Sequence, residues 1–151
     1  MATLVQIEGY LKKLDLKYTL IDLSGKVFRV EDVVAAGVNP EEIIKTLLVR
    51  ISDNRFVALV ARGRDRVDFK KVRRLFGSKS ELAKPDEVGR IVGVPIGAVC
   101  PILTNLPVIF DSKVMGLEKV NLGSGDLTQG LEMDLGDLVR AVGQYTICDL
   151  T

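Results

Sequence analysis

A single lysine lies inside a largely apolar run, and the presence of a charged side chain there needs an explanation. Lys45 belongs to the run Ile43–Val49, which is typical of a strand buried on at least one face. A buried ammonium group without a partner costs several kcal/mol. Lys45 therefore either extends to water at the end of a strand or points into a polar cleft, where its charge can serve a ligand or a reaction.

A second segment can direct backbone N–H groups into a cleft. The segment Gly93–Pro101 contains a G-x-x-x-P pattern that is formed by Gly97 and Pro101. Proline fixes φ and glycine permits unusual backbone angles, so such a loop can hold N–H groups that bind a carbonyl oxygen or an oxyanion. An ordinary surface turn has the same composition, and the pattern alone does not separate the two interpretations.

The third candidate is a serine between two glycines. Ser124 lies in the segment Gly123–Gly125, a predicted turn at which the backbone can approach a ligand closely. Its hydroxyl can form a hydrogen bond or position a water molecule. Asp111 and Glu132 are carboxylates in or at the end of the predicted strands beside these turns, and either is a candidate partner for Lys45.

The chain contains no histidine, which limits the reactions it can catalyse. Histidine is the commonest general base and the commonest zinc ligand. Mechanisms of the Ser-His-Asp and Cys-His types are therefore excluded, and we expect neither a metal nor another cofactor. Any hydrolysis must depend on positioning, on backbone donors, on lysine or carboxylate groups, or on groups of the substrate.

Length and composition are those of one globular domain. The chain has 151 residues, of which 47% are hydrophobic and 27% are charged, and this is enough for one hydrophobic core. No apolar stretch reaches the roughly 18–20 residues that a membrane helix requires. Because residues 1–8 do not resemble a signal peptide, the two distant cysteines, Cys100 and Cys148, favour a reduced, cytoplasmic location.

Positive charge is concentrated in one segment of a nearly neutral chain. The segment Arg62–Lys79 contains eight basic and two acidic residues, a net charge of +6, whereas the whole chain carries only +1. This pattern indicates a contact site for a polyanion, although a solvated helix face has the same composition. The candidate contacts for nucleic acid are Arg62, Arg64, Arg66, Lys70 and Arg73.

The predicted elements that must position these residues are short. Helices are predicted over 3–14, 30–37, 68–77, 80–92 (interrupted at Pro85) and 136–142, and strands over 18–23, 43–51, 56–61, 108–110, 119–122, 131–135 and 145–148. We therefore predict an α+β fold over residues 1–151, a single compact domain whose largely antiparallel or mixed central sheet is flanked by short helices.

Taken together, these segments resemble a known family. The run Glu42–Val49 resembles its lysine-bearing strand, Val57–Lys71 its next strand and helix, and Ala83–Pro101 its G-x-x-x-P region. Asn121–Leu138 resembles its closing glycine-rich turn, strand and final helix. The family is the YbaK/EbsC group, which is related to the editing insertion of bacterial prolyl-tRNA synthetase. The resemblance covers residues 3–143, and its specificity lies in the order and spacing of the motifs.

The resemblance implies a function and a set of site residues. The function is hydrolysis of the ester that links a wrong amino acid to a tRNA, in trans, with aminoacyl-tRNA and an aminoacyl-tRNA synthetase as expected partners. Lys45 would contact the terminal phosphate or the ester region, and Gly97 and Pro101 would form the loop near the scissile carbonyl. The implied substrate-binding residues are Thr46, Ala98, Val99, Cys100, Ser124, Gly125 and Asp111. The candidate wall residues of the pocket are Tyr18, Phe28, Leu47 and Val99.

Two other interpretations remain open at the level of the sequence. Some relatives place a histidine near the glycine-rich turn, and this chain has none, so the fold could serve as a non-catalytic module that binds tRNA or a synthetase. Alternatively, the domain binds a small molecule, and the charges of Arg62–Lys79 form only a solvated face.

Overall fold

Residues 2–151, the part of the chain that this computed structural model describes, form short helices and strands. The helices are α1 (Leu4–Lys13), α2 (Val30–Ala35), α3 (Phe69–Phe76), α4 (Pro85–Val92) and α5 (Leu135–Val142), with 3-10 turns at Pro40–Glu42 and Ser112–Gly116. The strands are β1 (Thr19–Asp22), β2 (Ile44–Ser52), β3 (Arg55–Arg62), β4 (Glu81–Leu82), β5 (Val108–Asp111), β6 (Lys119–Gly123), β7 (Gln129–Asp134) and β8 (Thr146–Cys148).

The strands are divided between two sheets. An antiparallel sheet has the order β1-β7-β6, and a mixed sheet has the order β4-β2-β3-β5-β8, in which β3, β5 and β8 are parallel. A single parallel bridge between Ile43 and Asn121 joins the two sheets beside the start of β2. The predicted α+β class is confirmed, and the strands form two linked sheets rather than one.

Local sequence signals explain where several helices begin and end. The side chain of Thr3 accepts a hydrogen bond from the backbone of Gln6, and the side chain of Gln6 accepts one in return, which forms a capping box for α1. As predicted, Asp68 caps α3 through the backbone N–H of Lys70. Gly77 ends that helix.

The hydrophobic core has parts on both sides of the mixed sheet. Ile7 and Leu11 of α1 pack with Leu138 of α5 and Phe110 of β5 in the largest cluster. On the other side of the sheet, Val72 anchors the basic helix α3. These contacts fix β2 and β3 between two packed layers, and so define the position of Lys45.

One predicted element differs in the structure. The segment 80–92 was predicted to be helical, but Glu81 and Leu82 form the edge strand β4 beside β2. An ion pair between Arg50 and Glu81 accompanies this pairing, and tertiary contacts of this kind override helical propensity. Helix α4 begins only at Pro85, where a missing N–H costs nothing. Within residues 2–151, no helix is long and apolar enough to cross a membrane.

Candidate active site

A cavity of about 220 Å3 lies where the two sheets meet. Its walls come from residues 23–38, which include α2, from the first part of β2, from the loop residues Ile96, Gly97 and Val99, and from β6 and β7. Valine, leucine and isoleucine side chains supply most of this surface. The charged and polar side chains that border the cavity are those of Arg29, Lys45, Thr46, Asn121 and Gln129.

Lys45 lines the cavity, and its ammonium group is held by the backbone. Nζ donates hydrogen bonds to the carbonyl oxygens of Gly63 at 3.3 Å and Asp65 at 2.5 Å, in the loop that follows β3. Burial lowers the pKa of Lys45, and the negative charges of Asp65 and Glu31 partly oppose this effect. The predicted pairing of Lys45 with Asp111 or Glu132 is wrong, because backbone carbonyls take that place.

Gly97 brings the backbone of its loop against another segment of the cavity wall. Its φ is +103°, in the left-handed region that side chains other than that of glycine rarely adopt. A Cβ atom at this position would lie 2.7 Å from the carbonyl oxygen of Val27 and 2.8 Å from the Cα atom of Phe28. Glycine is therefore required both by the backbone angle and by the close approach of the two segments.

The glycine-rich turn, Gly123–Gly125, packs against the Gly97 loop at Ala98 and Val99. A Cβ atom on Gly123 would collide with the carbonyl oxygen of Val99, and the N–H of Gly125 donates to the carbonyl oxygen of Ala98 at 2.8 Å. Ser124 is fully buried, and its hydroxyl donates to the carbonyl oxygen of Gln129 at 2.6 Å. The turn therefore holds the loop in place, and the hydroxyl of Ser124 is used within the turn.

Of the ten predicted catalytic and substrate-binding residues, four border the cavity and six lie elsewhere. Lys45, Thr46, Gly97 and Val99 line it, together with the predicted wall residues Phe28 and Leu47. The residues that do not line it are Ala98, Cys100, Pro101, Ser124, Gly125 and Asp111. Tyr18 does not line the cavity either: it borders a separate depression, and its hydroxyl donates to Glu8 at 2.8 Å.

The residues outside the cavity have other contacts. Cys100 is packed in the main core, and burial raises the pKa of its thiol to about 12. Pro101 borders a separate depression that also contains Tyr10. Asp111 is completely buried and accepts hydrogen bonds from the backbone N–H of Leu150 at 2.8 Å and the hydroxyl of Thr151 at 3.1 Å. Its contacts therefore join two segments of the fold.

One buried polar residue of the cavity wall, Asn121, is not among the residues predicted from the sequence. Asn121 lies in β6 between two buried residues, Val120 and Leu122, and is only 4% exposed. Its side-chain nitrogen lies 3.5 Å from Oε1 of Glu42. The signal was available, because a polar residue inside an apolar strand is the same pattern that identified Lys45.

The basic segment begins at the loop that holds Lys45. Arg62 makes two hydrogen bonds to the carboxylate of Asp65, at 2.6 and 3.1 Å, and this partner lowers the pKa of Asp65. Arg64 pairs with Glu41 at 2.7 Å. These two arginines are therefore partly neutralised by neighbouring carboxylates.

Other basic side chains of the segment remain available to a polyanion. Arg66 and Lys70 are exposed, and neither forms an ion pair within residues 2–151. Arg73 lies over the ring of Phe69 at 5.8 Å and donates to the carbonyl oxygen of Ser80 at 3.2 Å. The free positive charge thus lies on the loop after β3 and on the outer face of α3.

Comparison with known proteins identifies the family. Residues 26–141 match the family model of the aminoacyl-tRNA editing domain. A proline–tRNA ligase of Geobacter sulfurreducens is 33% identical over 102 residues, which are 65% of this chain but only 18% of the ligase. The chain therefore spans less than a fifth of the length of that ligase.

Solved structures show the same fold over nearly the whole chain. A hypothetical protein with a crystal structure is 30% identical, with a TM-score of 0.81 over 95% of this chain and 97% of its own. A crystal structure described as a candidate trans-editing enzyme for prolyl-tRNA synthetase has a TM-score of 0.79 at 24% identity, over 98% of this chain and 96% of its own. The family match covers most of the described residues and includes every residue that lines the cavity except Leu23. This chain therefore belongs to the aminoacyl-tRNA editing domain family.

Proposed function

We propose that this chain is a trans-editing deacylase, which hydrolyses the ester between a small amino acid, such as alanine or cysteine, and a wrongly charged tRNA. The observation that carries the proposal is the small cavity at which Lys45 and the Gly97 loop meet, in a member of the editing family. Its volume of about 220 Å3 lies below the roughly 300–1,000 Å3 of pockets for drug-sized ligands, which fits a small aminoacyl group.

The chemical need for such an enzyme follows from the limits of recognition. A pocket distinguishes one methylene group by only about 1–3 kcal/mol, so a synthetase that accepts one small apolar amino acid also accepts its neighbours in size. A second site must then remove the wrong product. A cavity walled by valine and isoleucine side chains favours small apolar aminoacyl groups over long or charged ones.

The reaction that we propose proceeds by positioning and substrate assistance. The ammonium group of Lys45, held by Gly63 and Asp65, supplies a fixed positive charge to the terminal phosphate or the ester region. The Gly97 loop places backbone against the aminoacyl group. Because the chain has no histidine, the attacking water is oriented by backbone groups and by the free hydroxyl of the terminal ribose.

The proposed partners are aminoacyl-tRNA and, in a cytoplasmic setting, an aminoacyl-tRNA synthetase. Arg66 lies in the loop after β3 and Lys70 lies on α3, and both side chains are exposed. Their positive charges are available for contacts to phosphate groups. The chain has few aromatic residues to stack on bases. We therefore propose that tRNA alone binds weakly and that a synthetase supplies additional affinity.

Two observations favour a second candidate function, a non-catalytic module that binds tRNA or a synthetase. The ammonium group of Lys45 already bonds two carbonyl oxygens, and the chain has no histidine to act as a general base. Such a module binds its partner with salt-dependent affinity but does not cleave the ester above the uncatalysed rate.

A deacylation assay separates the two functions. The assay uses tRNAs charged with alanine, cysteine, serine, threonine and proline, and compares the native protein with Lys45→Ala. The matched control is Lys13→Ala, which removes an exposed lysine of α1 that does not line the cavity. We expect cleavage of one or two substrates, a loss of about 100-fold or more in Lys45→Ala, and no change in the control. Absence of cleavage by the native protein would support the binding module.

The proposed tRNA contact has its own test. Lys70→Glu reverses a free charge on α3, and Lys13→Glu makes the same change on α1 as a control. We expect only Lys70→Glu to weaken tRNA binding, and the slope of log K against log salt to fall by about one for a lost phosphate contact. Equal effects of the two substitutions would remove α3 from the interface.

A further inference from the structure

Three buried side-chain oxygens have no hydrogen-bonding partner within residues 2–151. They are Thr46 Oγ1, Asn121 Oδ1 and Ser80 Oγ. Buried polar atoms are nearly always paired in native structures, so each exception needs an explanation. Thr46 and Asn121 both line the cavity, whereas Ser80 does not. An unpaired oxygen at the wall of a cavity is a group that a ligand can use.

The amide of Asn121 is oriented by its surroundings. Its nitrogen faces Oε1 of Glu42 at 3.5 Å, which leaves Oδ1, an atom that can only accept hydrogen bonds, without a protein partner. The bridge between Asn121 and Ile43 holds this side chain beside the start of β2. A carboxylate on the donor side of an amide polarises it and increases the negative charge on its oxygen. A positively charged donor is therefore the ligand group that suits Oδ1 best.

Thr46 adds a second acceptor on the side of β2 that faces away from the ammonium group of Lys45. Successive side chains of a strand point to opposite faces, so Thr46 shares its face with Ile44 and Leu48. The charge of Lys45 is directed instead to the carbonyl oxygens in the loop after β3. Both side chains nevertheless border the cavity, so one ligand can meet the oxygen of Thr46 and the charge of Lys45 at different points.

We propose that Asn121 and Thr46 bind the α-ammonium group of the aminoacyl moiety and thereby orient its ester for hydrolysis. This inference rests on the proposed function. An aminoacyl ester always carries this group, whose three N–H donors need acceptors inside a cavity that otherwise offers mainly apolar side chains. Recognition of the ammonium group would restrict the site to amino-acid esters, while the apolar wall selects for size.

The test uses variants that remove each oxygen. Thr46→Val is isosteric and keeps a β-branched residue in the strand, and Asn121→Leu provides a second, independent change. Ser80→Ala is the matched control, since it removes the third unpaired oxygen outside the cavity. We expect Thr46→Val and Ser80→Ala to keep or raise the melting temperature, because an unpaired buried oxygen contributes nothing to the stability of the free protein.

The substrates are chosen to isolate the ammonium group. Alanyl-tRNA is compared with propionyl-tRNA, which has the same carbon skeleton without the amino group, and each rate is divided by the uncatalysed rate of the same ester. We expect the native protein to favour alanyl-tRNA, and Thr46→Val and Asn121→Leu each to reduce this preference by about tenfold or more. Ser80→Ala is expected to leave the preference unchanged.

The possible results separate this inference from the proposed function. If the native protein cleaves alanyl-tRNA and folded Thr46→Val and Asn121→Leu keep its full preference, the inference is overturned and the deacylase activity stands. If the native protein cleaves neither ester above the uncatalysed rate, the proposed function fails and the inference fails with it. A lower preference that is accompanied by an equal loss in the Ser80→Ala control would also overturn the inference.

Discussion

The partly buried position of the Lys45 ammonium group makes its charged form less favourable. Burial lowers its pKa from the ordinary value of 10.5, so the charged form is less favourable in the folded protein than in the unfolded chain. Two hydrogen bonds to carbonyl oxygens compensate in part. Functional sites typically retain residues of this kind, which make the folded protein less stable than an apolar side chain at the same position would.

This balance predicts the behaviour of Lys45→Met. We expect the free energy of unfolding at neutral pH to change by less than about 1 kcal/mol, because the lost hydrogen bonds and the relieved desolvation offset each other.

The lowered pKa of Lys45 also predicts how the stability of the native protein depends on pH. Native stability is expected to rise with pH between the lowered pKa and 10.5, where the unfolded state binds more protons, and this rise disappears in Lys45→Met. Urea unfolding at several pH values measures both effects; a large loss of stability at neutral pH would contradict them.

Cys100 predicts the opposite dependence on pH. Its pKa is raised by burial from 9.0 to about 12, so above pH 9 the unfolded state loses a proton that the folded state retains. Stability is therefore expected to fall as pH rises, by up to about 1.4 kcal/mol per pH unit relative to Cys100→Ala. Denaturant unfolding of both proteins between neutral pH and about pH 10 tests this. Parallel curves would show that the thiol is accessible to water.

At the scale of elements, the cavity depends on two backbone segments that pass within contact distance. Gly97 meets Val27 and Phe28, and Gly123 meets Val99, so neither pair of segments leaves room for a side chain. The predicted role of the G-x-x-x-P segment came from its capacity to direct N–H groups. The structure shows in addition that its glycine allows the loop to close against the segment before α2.

Gly97→Ala is expected to disturb this closure. The added Cβ would lie 2.7 Å from a carbonyl oxygen at a φ of +103°, so we expect a loss of stability of about 1–3 kcal/mol together with a loss of deacylation. Gly89→Ala in α4 is the matched control, because nothing lies within 4 Å of its Cβ position. It is expected to stabilise the protein by about 0.5–1 kcal/mol. Thermal melting and the deacylation assay measure the two effects, and an unchanged activity in folded Gly97→Ala would show that closure is unnecessary.

At the scale of the whole molecule, Asp111 joins β5 to the segment that follows β8. Its carboxylate accepts hydrogen bonds from Leu150 and Thr151, and Lys71 donates to Asp149 at 2.8 Å and to the carbonyl oxygen of Thr151 at 2.9 Å. The backbone N–H of Asp68, the cap of α3, donates to the carbonyl oxygen of Leu150 at 2.7 Å. The network thus connects the basic helix to the mixed sheet.

Asp111→Ala tests whether this residue serves the fold or the substrate. We expect the free energy of unfolding to fall by about 2–4 kcal/mol, because buried donors lose a charged acceptor. Glu118→Ala removes an exposed carboxylate as a control. The substrate preference of the folded fraction should not change. A variant with native stability but no deacylation would instead return Asp111 to the substrate-binding residues.

Most elements could be predicted because their signals are local. The apolar periodicity of α1, the cap and stop of α3 and the turn between β2 and β3 each depend on a few neighbouring residues. The two-residue strand β4 could not be predicted, since its partner β2 lies about thirty residues away in the sequence and the segment itself is too short to show a period.

The sequence by itself determined the α+β class, the order of the elements and the need of Lys45 for a polar destination, because hydrophobic pattern and charge are properties of short segments. Only the tertiary structure decided which residues border the cavity. Thr46 and Asn121 come from different sheets, and Val99 faces the cavity while its neighbours Ala98 and Cys100 do not. The direction of each side chain depends on contacts between distant segments, and no local pattern records those contacts.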